Sequence, residues 1–397
     1  MRWSRKGAPA VLRATLLLPL VSLLPAAGWA ALESRPAPPS LQRELRIDGE
    51  FVSAGSLAVD GHGTMYVADT ELQQVRVFSA AGAPLPPRGR RGKGPGEFLG
   101  LASVTVGRAD TLFALDLGMQ RVTAFTPAGK VAYTLQLPRA GRAKANYQLF
   151  APSTGGLLVQ YAIPYSTRSA GPGRAVNMRT VLRNGTLQPR PVFRFPDREA
   201  LVNRLPGNGI MVGGLPYGRA PFVGMGPGDR LYFAWSGTPA VTVFDLQGRR
   251  VGTVRLPTTG LPVRDEDLDP LVDSYDARSP WRLAMQKAAS QGRLPETKPA
   301  YKALVVDDHG RVWVNVLTSD DVVVSGERGL TYASRARLDQ GGVAPSPWWI
   351  LGADGRREAT LSLANNVALS LVKGDRAYGF ETDADGVQYL VRYRVRT

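Results

Sequence analysis

Apolar residues in this chain fall into short stretches that are separated by turns rich in glycine, aspartate and proline. The stretch 57–82 is repeated 47 positions later without a gap, and a third copy of its second half follows a further 119 positions along. Each apolar stretch predicts a β-strand, and each group of turn residues predicts a tight connection to the next strand. The matched positions of the first two copies are Val59, Met65, Tyr66, Asp69, Val75, Phe78 and Gly82 with Val106, Leu112, Phe113, Asp116, Val122, Phe125 and Gly129.

A repeat of about 40–50 residues with this strand pattern is typical of the blades in a closed ring. We therefore predict an all-β fold, a six-bladed β-propeller with four-stranded blades, over residues 41–397. The segment Leu41–Ile47 alternates in polarity but has no hairpin partner beside it in the sequence. It is predicted to pair with Gln388–Arg396 and to complete the last blade, because closing the ring removes the exposed edges of an open sheet.

The remaining strands are assigned to blades by the same pattern. The third blade is the least regular, since a long polar loop at 166–174 precedes a hairpin that is predicted to turn at Asn184-Gly185. The fifth blade contains a long excursion at 319–347 before its last two strands. The blades are predicted from about Leu57, then over 103–137, 155–193, 222–256, 302–363, and 368–396 with the N-terminal strand.

A short helical insertion is predicted between blades four and five, at about 264–294. Acidic residues at 265–269 open a first helical stretch. A second helix is predicted with Ser279 as its N-cap, Pro280 at its first position and Gly292 just past its end. The apolar face that should pack on the rim of the propeller consists of Trp281, Met285 and Ala288.

Residues 1–30 have the pattern of a signal peptide. Basic residues end at Arg13, an apolar run too short to span a bilayer covers 14–24, and small residues favour cleavage after Ala30. Residues 31–40 are predicted to form a proline-rich linker. The pattern predicts an exported protein, periplasmic or extracellular, without a transmembrane helix after cleavage. An uncleaved N-terminal anchor is the alternative.

The composition narrows the classes of function. The chain has 44 Gly, 31 Pro and no Cys, so turns are abundant, and disulfides, thiolate metal sites and a Cys nucleophile are excluded. The formal net charge of +16 falls to about +12 once the four basic residues of the signal peptide are removed. The arginines are scattered through every repeat, which indicates a coding bias rather than one basic patch. Nucleic acid is therefore not an expected partner.

Four motifs resemble a family of exported bacterial six-bladed β-propeller proteins, and the first of them is similar to the NHL repeat. The resemblance covers most of the mature chain and implies the fold and export, but it implies no activity. The chain departs from the NHL pattern at Leu72 and Met119, where Asn is usual, while Arg121 keeps the following Arg. The motifs are 66–69 (Tyr-Val-Ala-Asp), 94–98 (Gly-Pro-Gly-Glu-Phe), 295–301 (Pro-Glu-Thr-Lys-Pro-Ala-Tyr) and 305–314 (Val-Val-Asp before Trp-Val).

Histidine, the commonest general base, occurs only twice. His62 and His309 occupy the same repeat position, 247 residues apart, in the turn between the first two strands of different blades. We expect them to face solvent or to stabilise their turns, and not to converge. The acidic run 381–386 lacks the bidentate Glu of a calcium loop, because that position holds Arg392. The stretch 88–96 lacks the glycine spacing and the hydroxyl of a P-loop.

The candidate binding site lies where the second strands of the blades end. Asp69 and Asp116 are matched strand-end residues, and Trp235 takes the equivalent position in the fourth blade. On repeat geometry we predict that these three residues share one face, at a mouth of the central channel. Carboxylates suit calcium, but the ring of carboxylates is incomplete. Strand-end aspartates commonly tie down the following loop instead, so no cofactor is predicted and calcium is the lesser alternative.

Two hypotheses for the function follow. The first is a monomeric, non-catalytic exported propeller that binds a protein or carbohydrate ligand through its loops, since the chain lacks both a nucleophile elbow and a zinc-protease motif. The second is a metal-dependent lactonase-like or lyase-like enzyme with its site at the channel mouth. They differ in whether Asp69, Asp116 and a third oxygen ligand converge within about 2.3–2.6 Å of one point.

Overall fold

The computed structural model covers the chain from the N-terminal strand to the C-terminal strand with several gaps. The predicted signal peptide, the loop 166–174 and the turn at Asn184-Gly185 lie outside the described residues. None of the helices within the described part has the length and apolar character needed to cross a membrane. The described residues are 40–137, 146–162, 175–181, 186, 188, 190–204, 209–326, 329–338 and 344–396.

Four-stranded antiparallel sheets follow one another along the chain, with their strands in sequence order. The turns between strands close tightly because glycines such as Gly63 and Gly82 adopt positive φ angles. The third sheet extends beyond its predicted segment, 155–193, on both sides. The strands in this half of the chain are β1 (Ser40–Phe51); β2 (Ala54–Val59), β3 (Met65–Asp69), β4 (Gln74–Phe78) and β5 (Pro84–Arg88); the short pair β6 (Arg90–Arg91) and β7 (Glu97–Phe98); β8 (Leu101–Val106), β9 (Leu112–Asp116), β10 (Arg121–Phe125) and β11 (Val131–Gln136); and β12 (Asn146–Phe150), β13 (Leu157–Ala162), β14 (Ala175–Val181) and β15 (Phe193–Pro196).

The second half of the chain adds three more sheets, two hairpins and the helical insertion. The sixth sheet takes its fourth strand, β1, from the other end of the chain. The chain is a six-bladed β-propeller. The elements of this half are β16 (Ala200–Arg204) and β17 (Ile210–Gly214); β18 (Pro221–Gly226), β19 (Arg230–Trp235), β20 (Ala240–Phe244) and β21 (Arg250–Arg255); helices α1 (Asp269–Asp273) and α2 (Pro280–Ser290); β22 (Tyr301–Val306) and β23 (Val312–Val316); β24 (Asp321–Gly326), β25 (Gly329–Ser334) and helix α3 (Arg335–Leu338); β26 (Pro345–Leu351) and β27 (Arg357–Ala364); and β28 (Val367–Lys373), β29 (Arg376–Thr382) and β30 (Gln388–Arg396).

The hydrophobic core is divided among the six interfaces between neighbouring blades. Between the first two blades, the fully buried Phe98 packs on Phe125, and between the fifth and sixth blades Trp313 and Trp348 are fully buried. Burying one side chain of this size contributes about 1.5–3 kcal/mol. Because a separate cluster fills each interface, every blade depends on both of its neighbours.

One end of the propeller carries the connections between first and second strands, and we call this end the turn face. Hydrogen bonds join neighbouring blades there. The carboxylate of Asp110 accepts the N–H of Gly61 at 2.9 Å, and that of Asp229 accepts a backbone N–H of the third blade at 2.6 Å. Lys373 Nζ donates to the carbonyl of Asp60 at 2.8 Å. These bonds fix the position of one blade relative to the next.

The turns of this face also share an internal hydrogen-bond pattern. Asp60 accepts the N–H of His62 at 2.9 Å through Oδ1 and the hydroxyl of Tyr66 at 3.0 Å through Oδ2. Asp307 repeats the pattern with the indole N–H of Trp313 at 3.1 Å. Burial, together with the charge of Asp60, raises the pKa of Tyr66 to about 12. The first and fifth blades therefore share a turn sequence in which an aspartate is followed six positions later by an aromatic hydrogen-bond donor.

The opposite end, which we call the loop face, carries the connections after the second strands, both hairpins and the helical insertion. Helix α2 begins at Pro280 with Ser279 as its N-cap, and Gly292 follows its end with a φ of 62°, which confirms the helical insertion between blades four and five. Its apolar face packs on the hairpins β16–β17 and β24–β25. The prediction that Trp281, Met285 and Ala288 pack on the propeller rim is therefore wrong, because the hairpins lie between.

The ring closes where β1 pairs antiparallel with β30, from the Ser40–Arg396 pair to the Phe51–Gln388 pair. The predicted pairing of the N-terminal strand with the C-terminal strand is confirmed. The register of β1 shifts between Arg43 and Leu45 and again between Ile47 and Phe51, and Glu44 is the bulged residue of the first shift.

Glu44 holds three arginines of the sixth blade at this closure. Its carboxylate accepts hydrogen bonds from Nε of Arg376 at 3.2 Å, of Arg392 at 3.1 Å, and of Arg394. The hydrogen bond from Arg394, with the charges of Arg392 and Arg376, holds the pKa of Glu44 below its ordinary value of 4.5 although partial burial opposes this. The bulged carboxylate is thus an ionic contact between the two chain ends.

The substitution Glu44→Gln should lower the free energy of unfolding by about 1 kcal/mol at neutral pH, because charge-assisted hydrogen bonds to three arginines become weaker. Chemical denaturation measures this difference. Since the pKa of Glu44 is lower in the folded state, the difference should be complete above 4.5 and should vanish as the pH falls through the lowered value. Asp48→Asn, at an exposed ion pair of the same strand, is the control and should change little. A pH-independent effect of Glu44→Gln would contradict the ionic contact.

Candidate ligand site on the loop face

Asp69 and Asp116 are the last residues of β3 and β9, and their carboxylates bind backbone N–H groups. Asp69 Oδ1 accepts the N–H of Leu72 at 2.9 Å. Asp116 accepts the N–H of Met119 through Oδ1 and the N–H of Leu99 through Oδ2, both at 3.0 Å. Both aspartates are buried. This arrangement is the loop-stabilising role of a strand-end aspartate.

Two glutamines also belong to these loops, and none of the sequence motifs had indicated them. Gln73 and Gln120 are buried and adopt positive φ angles of 55° and 51°. Gln73 Oε1 accepts the N–H of Leu101 in the next blade at 2.8 Å. The sequence did contain a signal for these glutamines. In both copies of the 47-residue repeat, Gln follows the matched Asp by four positions.

Trp235 ends β19, the strand of the fourth blade equivalent to β3 and β9. Among the described residues, no hydrogen bond or ion pair joins any two of Asp69, Asp116 and Trp235. The residue after Trp235 is the buried Ser236, which accepts the N–H of Ala220 at 2.9 Å and lines a cavity. The Trp235 position therefore lies beside a cavity of the loop face.

This cavity has a volume of about 450 Å³ and lies between the fourth and fifth blades. The beginnings of β18 and β22 contribute Phe222 and Tyr301, and hairpin β24–β25 contributes Tyr332. Hairpin β16–β17 forms a further wall and is held close to helix α2. A Cβ at Gly213 would lie 2.2 Å from the Trp281 ring, so glycine allows this close approach.

Of the three cationic side chains that line the cavity, Arg198 is exposed, and Lys302 and Arg219 are mostly buried. Lys302 is 14% exposed and its Nζ donates to Asp321 Oδ1 at 2.5 Å. Arg219 is 19% exposed and its Nη2 donates to the hydroxyl of Thr297 at 2.8 Å. The carboxylate paired with Arg219 belongs to Glu199, which is 40% exposed and lies 3.8 Å from Nη1. Lys302 thus forms a hydrogen-bonded ion pair, whereas the ion pair of Arg219 with Glu199 is longer than a hydrogen bond.

Aromatic rings form much of the remaining lining. The rings of Phe222 and Tyr301 lie 5.6 Å apart, and those of Tyr217 and Tyr332 lie 6.1 Å apart. Burial raises the pKa of the Tyr301 and Tyr332 phenols, so both are protonated at neutral pH. The Tyr301 hydroxyl is buried and has no hydrogen-bond partner in the described part of the chain. Aromatic walls with a few polar groups are typical of small-molecule sites.

A buried ion pair connects the cavity walls to the propeller. Lys298, at the centre of the motif 295–301, is 3% exposed, and its Nζ lies 3.3 Å from Asp267 Oδ2. The same Nζ donates to the backbone carbonyl of Asp321 at 2.7 Å. Asp267 belongs to the helical insertion and also pairs with Arg335, which follows β25. The motif therefore joins the insertion, the second hairpin and the fifth blade.

The two histidines lie in turns of the turn face, where His62 is 85% and His309 64% exposed. Ligand atoms of His309, Asp307 and Asp308 lie within 4.8 Å of one another. Both oxygens of Asp307, however, accept hydrogen bonds within its own blade. Asp383 in the acidic run 381–386 likewise accepts N–H groups of its hairpin turn.

No family model and no curated protein matches the sequence. Among solved structures, a Bacteroides fragilis protein named as an exported protein is similar, with a TM-score of 0.48 and 11% identity over 90% of this chain and 95% of that chain. The PQQ-bound aldose sugar dehydrogenase of Streptomyces coelicolor gives 0.45 and 12%, over 91% and 99%. Virginiamycin B lyase of Staphylococcus aureus gives 0.43 and 9%, over 89% and 99%. The likeness concerns architecture alone.

The substitution Asp116→Ala should lower the free energy of unfolding by about 2 kcal/mol or more, because two backbone N–H groups lose their acceptor. Urea denaturation gives this value, with Asp385→Ala in an exposed turn as the control. A chelator should leave the melting temperature of the wild type unchanged. A chelator-induced decrease that calcium reverses in the wild type, but not in Asp116→Ala, would instead indicate a metal site.

The substitution Lys298→Met should lower the free energy of unfolding by about 3 kcal/mol, because it leaves the buried carboxylate of Asp267 without one of its cations. Lys287→Met on the exposed side of α2 is the matched control and should change stability little. Guanidinium denaturation compares the two variants. Equal stability of both variants would show that the buried ion pair does not hold the insertion in place.

Proposed function

We propose that the protein is a non-catalytic exported propeller that binds a ligand in the loop-face cavity. The observation that carries the proposal is the difference between the two faces. Both hairpins lie on the loop face and line the cavity, and the helical insertion packs on them, whereas the turn face carries, among the described residues, only short hydrogen-bonded turns around cavities of about 410 and 320 Å³. Functions of such scaffolds reside in loops that a rigid framework positions. The ligand is a protein segment or a carbohydrate.

The chemistry of the cavity favours recognition over catalysis. A general base needs a pKa close to the working pH. The described lining contains no histidine, its buried tyrosines are protonated, and Lys302 is bonded to Asp321. Glu199 is partly exposed, and its Oε2 accepts the backbone N–H of Arg219 at 2.8 Å. These groups can orient a ligand, but none is placed to transfer its proton.

The metal-dependent lactonase-like or lyase-like alternative is less well supported. It requires Asp69 and Asp116 to give carboxylate oxygens to an ion. Asp116 uses both oxygens for backbone N–H groups, and Asp69 Oδ2 lies 3.9 Å from Arg76 Nη1. Coordination would release buried N–H groups from their acceptors, which is unfavourable.

Export is part of the proposal. It is supported by the basic and apolar pattern of residues 1–30 and by small residues at the predicted cleavage site after Ala30. Because the chain has no cysteine, its ring closure depends on the β1–β30 pairing in any redox environment.

The proposal can be tested with the chain that begins at Ala31, screened on an array of polysaccharide fragments and peptides. Each ligand found is then titrated by calorimetry and recovered for mass spectrometry. We expect saturable binding that leaves the ligand chemically unchanged. Tyr332→Ala, which removes a cavity wall, should weaken binding at least about tenfold, a loss typical of an aromatic contact in a binding site. Tyr133→Ala, at an exposed tyrosine of β11, should not.

Two outcomes would overturn this proposal. Chemical conversion of a bound compound would show that the protein is an enzyme. Binding that is equal in the wild type and in a folded Tyr332→Ala variant would place the site outside the cavity. The melting temperature and circular dichroism of each variant establish that it is folded.

A further inference from the structure

We infer that the cavity binds a small hydroxylated carboxylic acid, such as an acidic sugar, and that Arg219 pairs with its carboxylate. The inference rests on the proposed binding function and adds the chemical class of the ligand. It starts from Arg219, a mostly buried cation of the cavity whose ion pair with Glu199, at 3.8 Å, is longer than a hydrogen bond.

The contacts of Arg219 leave most of its hydrogen-bonding capacity to a ligand. A guanidinium has five N–H donors, and the described side-chain contact uses Nη2 to reach the neutral hydroxyl of Thr297. The distance of 3.8 Å to Glu199 is too long for a hydrogen bond. A mostly buried ion pair is favourable only when hydrogen bonds also satisfy its remaining donors, and the 3.8 Å pair with Glu199 leaves the other guanidinium donors to a ligand. An anion bound in the cavity would therefore lower the free energy of this side chain.

The other charges of the cavity select a single negative group. The remaining cations among the described lining residues are Lys302, which is neutralised by Asp321, and Arg198 at the exposed rim. Glu199 is the one acid of that lining. One incompletely paired guanidinium matches a carboxylate, which it can bind through two parallel N–H bonds. A doubly charged phosphate would need additional cations or a cluster of backbone N–H groups.

The rest of the lining indicates the body of the ligand. Phe222 and Tyr332 are only partly buried and offer apolar surface, while the exposed Thr331 offers a hydroxyl. The volume of about 450 Å³ lies within the usual range of small-molecule sites. Apolar surface, hydroxyl partners and one cation together describe a hydroxylated acid of sugar size.

The motif 295–301 gives this arrangement a sequence basis. Thr297 accepts the hydrogen bond that orients Arg219, Lys298 anchors the helical insertion, and Tyr301 contributes to the lining. One short segment thus positions the cation and one wall. Preorganisation of this kind reduces the entropy lost on binding.

Calorimetry with D-glucuronate and D-glucose tests the inference, because the two sugars differ by one carboxylate. We expect the wild type to bind glucuronate about tenfold or more tightly than glucose. Arg219→Gln should weaken glucuronate binding about 10- to 100-fold and leave glucose binding unchanged. Arg249→Gln, at an exposed arginine on the turn face of the same blade, is the matched control and should change neither. Added salt should weaken the binding of glucuronate alone.

Arg219→Lys keeps the charge and most of the side chain, and it serves if Arg219→Gln does not fold. Its affinity for glucuronate should lie between those of the wild type and of Arg219→Gln, because lysine lacks the planar fork. Equal binding of the two sugars by the wild type, absence of glucuronate binding, or equal losses in the Arg219 and Arg249 variants would each overturn the inference. A neutral ligand that depends on Tyr332 but not on Arg219 would overturn the carboxylate while the binding function stands.

Discussion

The structure depends on the pairing of β1 with β30, because that pairing turns a row of sheets into a ring. A hydrogen bond at this junction joins Arg396 to Gln42, which are 354 positions apart in the chain. The cluster between the sixth and first blades then buries Phe51 and Leu390, one from each end of the chain. Each blade is packed on both sides only when the ring is closed, so the cavity between the fourth and fifth blades also depends on this distant junction.

The two faces of the propeller meet different requirements. On the turn face, aspartates such as Asp60 satisfy the N–H groups of tight turns, and Asp110 extends the same hydrogen bonding to the neighbouring blade. On the loop face, long insertions leave the repeat pattern and enclose polar groups that the blades do not satisfy, such as the Tyr301 hydroxyl. The turn face supplies rigidity, and the loop face supplies the groups available for binding.

The sequence predicted what the repeat encodes and missed what lies outside it. Equal spacing predicted the strand-end positions of Asp69, Asp116 and Trp235, while the pattern of short apolar strands predicted the six blades and the partnerless N-terminal segment predicted their closure. The cavity combines Arg219, Lys302 and Tyr332, which come from separate segments without a repeat. Their proximity depends on how two hairpins fold over the blades, and no periodicity records this. The prediction for the packing of α2 was wrong for the same reason. No sequence pattern in the excursion at 319–347 indicated that it contains a hairpin on which the helix packs.

The position of the closing strand also determines the order in which the fold can be completed. During synthesis β1 emerges early and has no partner until β30 has been made, so the last blade forms after the others. In the meantime its charged residues Arg43, Glu44 and Arg46 discourage pairing with other chains. A propeller built in this way stays open while it is being translated, and an open chain is the form in which a polypeptide is threaded through a membrane pore.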